Sequence, residues 1–194
     1  MDIEKEVVSE MFQGVDFTPA QLELVGSKFK KLILNKGATL LRAGQTVHNQ
    51  YYICSGCLRT FFIDPAGNEH TLQFAIKDWW ISDYIAYYIG AKATMTIECI
   101  QGATIYQLAR ADLEALFVAL PGVETFFRKK MERRFAHFQQ RILSNLSKTA
   151  KERYTEFVAS YPNIEQQVKN YHVASYLGMK TESLSRIRRE MAGQ

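Results

Sequence analysis

The stretch that decides the fold lies near the end of the chain, where residues 168–190 read VKNYHVASYLGMKTESLSRIRRE. It contains two groups of apolar positions with helical spacing: Val173, Ala174 and Leu177, then Leu184 and Ile187. Side chains three or four residues apart lie on the same face of a helix. Gly178 separates the groups, where a left-handed helix end favours a residue without a Cβ atom. The pattern therefore predicts two helices joined by a tight turn, which is a helix-turn-helix.

The second of these helices carries polar side chains away from its apolar positions. The set consists of Lys180, Thr181, Glu182, Ser185, Arg186 and Arg189. Donors, one acceptor and cations at the start of an exposed helix suit base edges and phosphates in a DNA major groove. A helical hairpin that only packs has the same geometry. An inert surface helix mixes both signs of charge. Here we expect an outward face on which Arg186, Arg188 and Arg189 meet only Glu182 and Glu190, which favours DNA binding.

Length and charge limit the remaining interpretations. The chain has 194 residues, 47% of them hydrophobic, which fits one globular domain with a second, smaller one. Its net charge of +4 does not by itself identify a polyanionic partner. The distribution is more informative, because the first twenty-five residues carry six acidic side chains against Lys5 alone, whereas basic residues concentrate after Arg128. The cationic end of the chain therefore contains the helix-turn-helix.

Other features argue against secreted and membrane proteins. The N-terminus has no basic region followed by an apolar stretch, and no segment is apolar for long enough to span a bilayer. An odd number of cysteines without a secretion signal favours reduced thiols, so we expect a cytoplasmic protein with no membrane partner. Cys54 and Cys57 have C-x-x-C spacing. Because they flank Ser55-Gly56 between two strand-like runs, a turn is favoured over a redox pair.

The sequence shows no pattern typical of an enzyme. We find neither a nucleophile–base arrangement nor a glycine-rich phosphate loop. The histidines do not have the spacing of metal ligands: His48, His70, His137 and His172. We therefore predict a protein that is not an enzyme and holds no metal. The enzymatic alternative is a cupin-like β-roll, which needs clustered histidines and a carboxylate.

Turn residues divide the rest of the chain. Thr18, Pro19 and Gln21 predict a capping box at the start of a helix. Over 31–108, short apolar runs alternate with turn residues, as in a β-sandwich or barrel. The expected breaks are Lys36-Gly37, Ala43-Gly44, Ser55-Gly56, Asp64 to Asn68, and Gln101-Gly102. A short helix and loop are expected over 83–90.

From Arg110 onward the pattern is helical, and one apolar stripe follows a long helix. It comprises Val123, Phe127, Met131, Phe135, Phe138, Ile142 and Leu146. The stripe fits packing on its own chain or pairing with a second copy, and its length and aromatic content favour pairing. Thr149 and Glu152 predict another capping box, whose helix stops at Pro162. The predicted domains are a β-rich sensor over 1–120, the long helix over 121–147 and a helix-turn-helix domain over 148–194.

This order of elements resembles the Crp/Fnr regulators, the family of the catabolite activator protein, over nearly the whole chain. The segments that carry the resemblance are KGATLLRAG at 36–44, YYICSG at 51–56, and ASYLG at 174–178 followed by LSRI at 184–187. The first two are loose motifs, whereas the last, together with the shared order, is specific. The resemblance implies an α+β fold with an N-terminal helix, an antiparallel, jelly-roll-like β-roll as sensor domain, a long dimerisation helix and an all-α helix-turn-helix domain.

The resemblance also implies transcription regulation by a homodimer joined through 121–147. Thr181, Glu182 and Arg186 would read base edges, which agrees with the hydrogen-bonding capacity of these side chains. Lys180 and Arg189 would hold phosphates, which set the register without reading sequence. Two copies on a two-fold axis require a near-palindromic double-stranded DNA site. RNA polymerase is a further partner that such a function suggests.

The chain departs from the family at the ligand site. Members that bind a cyclic nucleotide have Gly-Glu before a short helix and a downstream Arg-Ser or Arg-Thr, whereas Ser82-Asp83 and Lys92-Ala93-Thr94 stand here. Lysine cannot supply the planar, bidentate bond of arginine. With Tyr84, the residues Ser82, Asp83, Lys92 and Thr94 are therefore expected to form a degenerate effector site, so no cofactor is certain and a cyclic nucleotide is doubtful. The neighbouring aromatic residues either line a more apolar pocket or, as we expect for each singly, pack in the core.

Two alternatives remain open at this point. Only Met191 to Gln194 follow the second helix, so the β-wing common in the family is absent or lies beyond this sequence. The alternative function is a ligand-binding or protein-interaction module of the same domain type without DNA-binding activity. Salt-insensitive or absent binding to random-sequence DNA would favour that alternative.

Overall fold

Helices precede and follow a run of strands along the chain in the computed structural model, which describes residues 5–161, 164 and 167–192. The helices are α1 (Lys5–Met11), α2 (Pro19–Gly26), α3 (Tyr84–Ile89), α4 (Arg110–Ala119), α5 (Pro121–Ser147), α6 (Ala150–Ser160), α7 (Asn170–Leu177) and α8 (Thr181–Ala192). The strands are β1 (Phe29–Leu34), β2 (Thr39–Leu41), β3 (Asn49–Ile63), β4 (Glu69–Ala75), β5 (Trp80–Ile81) and β6 (Thr96–Ala109). The predicted α+β class, with an N-terminal helix before the strands and further helices after them, is confirmed.

The strands pair in one antiparallel sheet whose path runs β1-β6-β3-β4, with β2 on β6 and β5 on β3. The β1–β6 register extends from Phe29 opposite Leu108 to Leu34 opposite Ala103. Side chains alternate between the two faces of such strands. One apolar cluster therefore forms on strand residues such as Ile53 and Ile105. A second cluster joins the strands to helices and contains Phe12, Trp80 and Phe127.

Two of the predicted turns are wrong, because β3 and β6 each continue through the glycine that we expected to end a strand. Gly56 keeps a positive φ of 91° within β3. A Cβ atom added there would lie 2.6 Å from the Cβ of Ala103 and 2.4 Å from the carbonyl oxygen of Gly102. Glycine at this position thus permits close approach of the two strands rather than a reversal of the chain. The turn predicted from Asp64 to Asn68 does join β3 to β4.

Local signals fix the helix starts as predicted. The Thr18 side chain accepts from the Gln21 N–H at the start of α2, and Thr149 does the same for Glu152 at the start of α6, so both capping boxes are confirmed. The short helix expected after Asp83 is α3. Pro162, where we expected α6 to stop, lies outside the described residues. None of the described helices combines the length and apolar character that crossing a bilayer requires.

The chain divides into two compact units. The first unit consists of Met1–Thr60 and Phe74–Arg133, and the second consists of Phe61–Gln73 and Arg134–Gln194. The turn between β3 and β4 therefore belongs with the end of α5 and with α6, α7 and α8. The domain boundaries at 120/121 and 147/148 stay a prediction.

Candidate DNA-binding and effector sites

Helices α7 and α8 form the helix-turn-helix that the spacing of apolar residues predicts. Gly178 ends α7 in the left-handed conformation with φ of 63°, and its N–H is bonded to main-chain carbonyls of that helix. Val173 and Ala174 of α7 are buried, as are Leu184 and Ile187 of α8. The apolar faces of both helices thus lie in the interior of the second unit, and this fixes which residues of α8 face outward.

The outward face of α8 is charged, and we call it the recognition face. Lys180, Glu182, Arg186 and Arg189 are exposed, whereas Thr181 and Ser185 are half-buried. The Ser185 hydroxyl donates to the Thr181 carbonyl oxygen at 3.0 Å, so this hydroxyl is already used within the helix. The side chain of Arg186 is 71% exposed and lies 3.8 Å from the Glu190 carboxylate. A pair this open to solvent contributes little, so the guanidinium can exchange partners.

Arg188 does not belong to the recognition face, and our expectation that all three arginines face outward is wrong. Its Nε donates to the Tyr154 hydroxyl at 3.1 Å, and its Nη1 donates to the Asn170 side-chain oxygen. The guanidinium also lies over the Tyr154 ring, 5.6 Å from the centroid. The physical reason is the helical spacing, because residue 188 follows the buried Leu184 by four positions. Arg188 therefore links α6, α7 and α8.

The predicted effector residues centre on Asp83, which is fully buried. One carboxylate oxygen accepts from the Ala86 N–H at 3.1 Å and thereby caps α3. The other accepts from the Thr94 N–H at 2.8 Å, the Met95 N–H at 3.1 Å and the Thr94 hydroxyl at 3.3 Å. Four donors thus converge on one carboxylate and join α3 to the loop before β6.

The other predicted effector residues have separate partners. Ser82 donates from its hydroxyl to the Asn49 carbonyl oxygen at 2.8 Å. Lys92 donates to the Thr46 hydroxyl at 2.7 Å rather than joining Asp83 and Thr94. Tyr84 is half-buried and stacks on Tyr88 with ring centroids 5.8 Å apart. The structure therefore brings together only Asp83 and Thr94 of the five.

The aromatic residues near α3 mostly pack in the core, as expected for each singly. Trp80 and Tyr87 are buried in the apolar clusters, and Trp79 and Tyr84 pack against them. Burial, followed by the neighbouring Tyr88, raises the pKa of Tyr87. Tyr88 differs because it is exposed, and its hydroxyl contacts the Met131 sulfur at 3.6 Å.

The cysteines and histidines form no obvious reactive centre. Cys57 and Cys99 are buried and Cys54 is half-buried, all as free thiols. Burial, followed by the neighbouring Cys99, raises the pKa of the Cys57 thiol to about 12. Among the described residues, no three His, Cys, Asp or Glu side chains come together in a group that could hold a metal ion.

Known proteins match both the sequence and the fold. Residues 31–119 match the cyclic nucleotide-binding domain family. The transcriptional activator protein FnrA of Stutzerimonas stutzeri is 25% identical over 165 residues, which cover 79% of this chain and 67% of that protein. FixK2 from Bradyrhizobium japonicum has a TM-score of 0.75 at 16% identity, over 86% of this chain and 85% of that one. The Thermus thermophilus catabolite activator protein has a TM-score of 0.58 at 21% identity, over 95% and 87%.

The chain is similar in sequence and fold to regulators of the Crp/Fnr family. The part that matches the cyclic nucleotide-binding domain includes Asp83 and Thr94. In this chain, however, Thr94 donates two hydrogen bonds to the Asp83 carboxylate, so the two residues bond each other.

The sequence argument misplaced Arg188 and missed its partner Asn170, whereas Glu190 was expected near the arginines. Glu190 lies beside Arg186, and their spacing of four residues is a signal that predicts it. Arg188 could have been assigned to the interior from the position of Leu184. Asn170, which accepts from Arg188, carries no comparable signal because the two are eighteen residues apart.

Proposed function

We propose that this chain is a homodimeric transcriptional regulator that binds double-stranded DNA through α8 and has a degenerate cyclic-nucleotide site. The observation that carries the proposal is the recognition face. Lys180, Glu182, Arg186 and Arg189 remain exposed, while the apolar side of the same helix is buried. A helix held by its apolar face with cations outward fits the major groove. FnrA of Stutzerimonas stutzeri is a transcriptional activator, which agrees with this function.

Within this proposal the residues divide between base reading and phosphate binding. Arg186 can form two bonds to a guanine, and Glu182 can accept from a cytosine amine. Thr181 would read a base edge through its hydroxyl. The Ser185 hydroxyl donates within the helix, so it would act toward DNA as an acceptor. Lys180 and Arg189, at the two ends of this face, would hold phosphates.

Dimerisation is proposed from the C-terminal half of α5. Phe135 is 63% exposed, Phe138 51% and Leu146 80%, although all three are large apolar residues on the predicted stripe. At the other end of the stripe, Val123 and Phe127 are buried within the chain. Exposed apolar rows of this kind mark interaction sites, and a second copy of the same helix would cover them. A two-fold dimer then requires a near-palindromic DNA site.

The effector proposal rests on the saturation of Asp83. A buried carboxylate that already accepts four hydrogen bonds has little capacity left for a ribose hydroxyl. We therefore infer that the region around Asp83 in the β-roll domain does not bind a cyclic nucleotide. The protein would act as a non-enzymatic regulator in the cytoplasm, with domains over 1–120, 121–147 and 148–194 and with RNA polymerase as a candidate partner.

The deciding experiment is selection of bound duplexes from a random DNA pool, with and without cyclic nucleotides. We expect a near-palindromic consensus that is unchanged by the nucleotides. Arg186→Ala should relax one position in each half-site and cost about 1–3 kcal/mol of discrimination. Arg128→Ala is the matched control, because Arg128 is an exposed arginine on α5 that pairs with Glu132. If Arg186→Ala weakens binding equally on all sequences, the base-reading role is wrong. Absent or salt-insensitive binding favours the module without DNA-binding activity.

A further inference from the structure

The hairpin segment 61–73, which contains the end of β3, the turn and the start of β4, has an unexpected partner in α7 of the same unit. Ser175 of α7 donates from its hydroxyl to the Glu69 carbonyl oxygen at 2.8 Å. The same hydroxyl oxygen accepts from the Thr71 N–H at 2.9 Å. One side chain of the helix-turn-helix thus bonds a main-chain donor and a main-chain acceptor of the same strand.

This contact uses the edge of the sheet. β4 is the last strand on the path β1-β6-β3-β4. The main-chain groups on the outer edge of a terminal strand have no ladder partner within the sheet. A serine hydroxyl can both donate and accept, so Ser175 takes the place of a residue on a neighbouring strand. Such a bond fixes the position of α7 along the strand as well as its distance from it.

A second attachment lies beside the first. Arg141 of α5 donates from its guanidinium to the Leu72 carbonyl oxygen. The guanidinium also lies over the ring of Tyr176, 5.1 Å from the centroid. Tyr176 in turn packs against Phe157 of α6, with centroids 5.4 Å apart. The segment 61–73 is therefore attached to α5 and α7 directly.

We propose that the segment 61–73 is a strap that positions the helix-turn-helix within the second unit, with Ser175 as the positioning residue. In this strap Thr71 bonds Ser175 of α7 and Leu72 bonds Arg141 of α5. Two adjacent residues of one strand thus hold two helices of the second unit. The recognition face is exposed while Ser175 is bonded to the strap, since Arg186 and Arg189 are both open to solvent. The strap is therefore compatible with DNA binding, and this role rests on the function proposed above.

The test compares Ser175→Ala with Ser147→Ala in the full chain. Ser147 is an exposed helix serine whose hydroxyl donates to Leu143 within α5, so it controls for loss of a serine. Alanine favours helix at both positions, so both variants should fold. In Ser175→Ala, the Thr71 amide should exchange with solvent about tenfold faster, because it loses its acceptor. DNA affinity should fall about three- to tenfold with an unchanged consensus. Ser147→Ala should match wild type in both measurements.

Three outcomes would overturn the proposal, and they differ from failure of the proposed function. If Thr71 exchange accelerates while DNA affinity stays at the wild-type value, the strap does not position the helix-turn-helix. If DNA affinity rises, the strap holds the unit away from DNA instead. If Thr71 exchange is unchanged, the strap bond itself is wrong. Wild-type protein without DNA affinity refutes the proposed function, and the strap's role in DNA binding with it. Arg141→Met removes the bond to Leu72. It should make the Thr71 amide exchange faster and lower the affinity for DNA, as Ser175→Ala does.

Discussion

The recognition face and the α3 region both resemble binding sites in sequence, yet their polar groups are arranged in opposite ways. On the recognition face, Lys180, Glu182, Arg186 and Arg189 extend into solvent, and the ion pair between Arg186 and Glu190 is long and exposed. At α3, the Asp83 carboxylate is inaccessible and accepts four hydrogen bonds from its own chain. The first arrangement has capacity for a partner, whereas the second has used its capacity internally.

The difference shows why residue type alone does not identify a site. A buried carboxylate with several donors contributes to stability, because each donor loses its partner when the carboxylate is removed. Exposed charges contribute little to stability and can act on another molecule. The same chemical groups thus serve folding in one region and recognition in the other, and mutation should separate the two roles.

The largest effect is expected from Asp83→Ala. The substitution leaves the N–H groups of Ala86, Thr94 and Met95 without the oxygen that they bond, in a buried setting. We expect a loss of about 3–5 kcal/mol in the free energy of unfolding. Denaturant titration of the purified variant measures it as a lower midpoint.

Lys92→Ala is the control for Asp83→Ala. Lys92 is exposed and its ammonium donates to the Thr46 hydroxyl at the surface, so its loss should change stability by about 0.5 kcal/mol or less. Comparable stability of Asp83→Ala and wild type would contradict the internal role. So would tight binding of a cyclic nucleotide by the wild type.

A smaller change in stability is expected from Arg188→Met, which tests whether neighbouring arginines have opposite roles. The variant keeps an apolar stem but loses the bonds to the Tyr154 hydroxyl and the Asn170 side chain. We expect about 1–2 kcal/mol of destabilisation, since each lost hydrogen bond contributes roughly 1 kcal/mol. Thermal unfolding measures this, with Arg189→Met as the matched variant on the exposed side. Equal stabilities of the two variants would remove the distinction between inward and outward arginines.

Local sequence signals predicted the parts of the fold that depend on near neighbours. Gly178 and the capping boxes of α2 and α6 involve residues at most four positions apart, and all appear as expected. Gly56 was misassigned because its role depends on Ala103, which is distant in sequence and adjacent in space. From the sequence alone, a glycine in a turn cannot be distinguished from a glycine that lets two strands approach closely.

The candidate sites follow the same rule. Helical spacing was sufficient to place Arg186 and Arg189 outward, and it would also have placed Arg188 inward beside Leu184. The bonds from Thr94 and Met95 to Asp83 span eleven and twelve residues, so no local pattern predicts that the carboxylate is saturated. The contact of Ser175 with Glu69 spans 106 residues and gave no signal at all.

Arg189→Ala should have a smaller effect than the substitutions above, and the effect should be on DNA affinity. A phosphate contact carries no sequence information, so affinity should fall by a similar factor on every duplex. The slope of log affinity against log salt should become shallower by about 1, because one fewer counterion is released. Filter or fluorescence binding at several salt concentrations measures both. A change in the preferred base instead would assign Arg189 to base reading.

The smallest effect is expected for the cysteine thiols. Their reactivity toward a thiol reagent should differ between buried and half-buried positions. With the pKa of Cys57 raised to about 12, its thiol stays protonated below that value. At pH 8 the thiolate fraction is about one in ten thousand, and the thiolate is the reactive form. A thiol reagent should therefore modify the half-buried Cys54 first and reach Cys57 and Cys99 only after unfolding. Peptide mapping by mass spectrometry measures the order, and Cys54→Ser should remove the fast reaction. If native Cys57 is modified as fast as Cys54, the β3 strand opens readily. Cys57 would then be accessible to other molecules in the native protein.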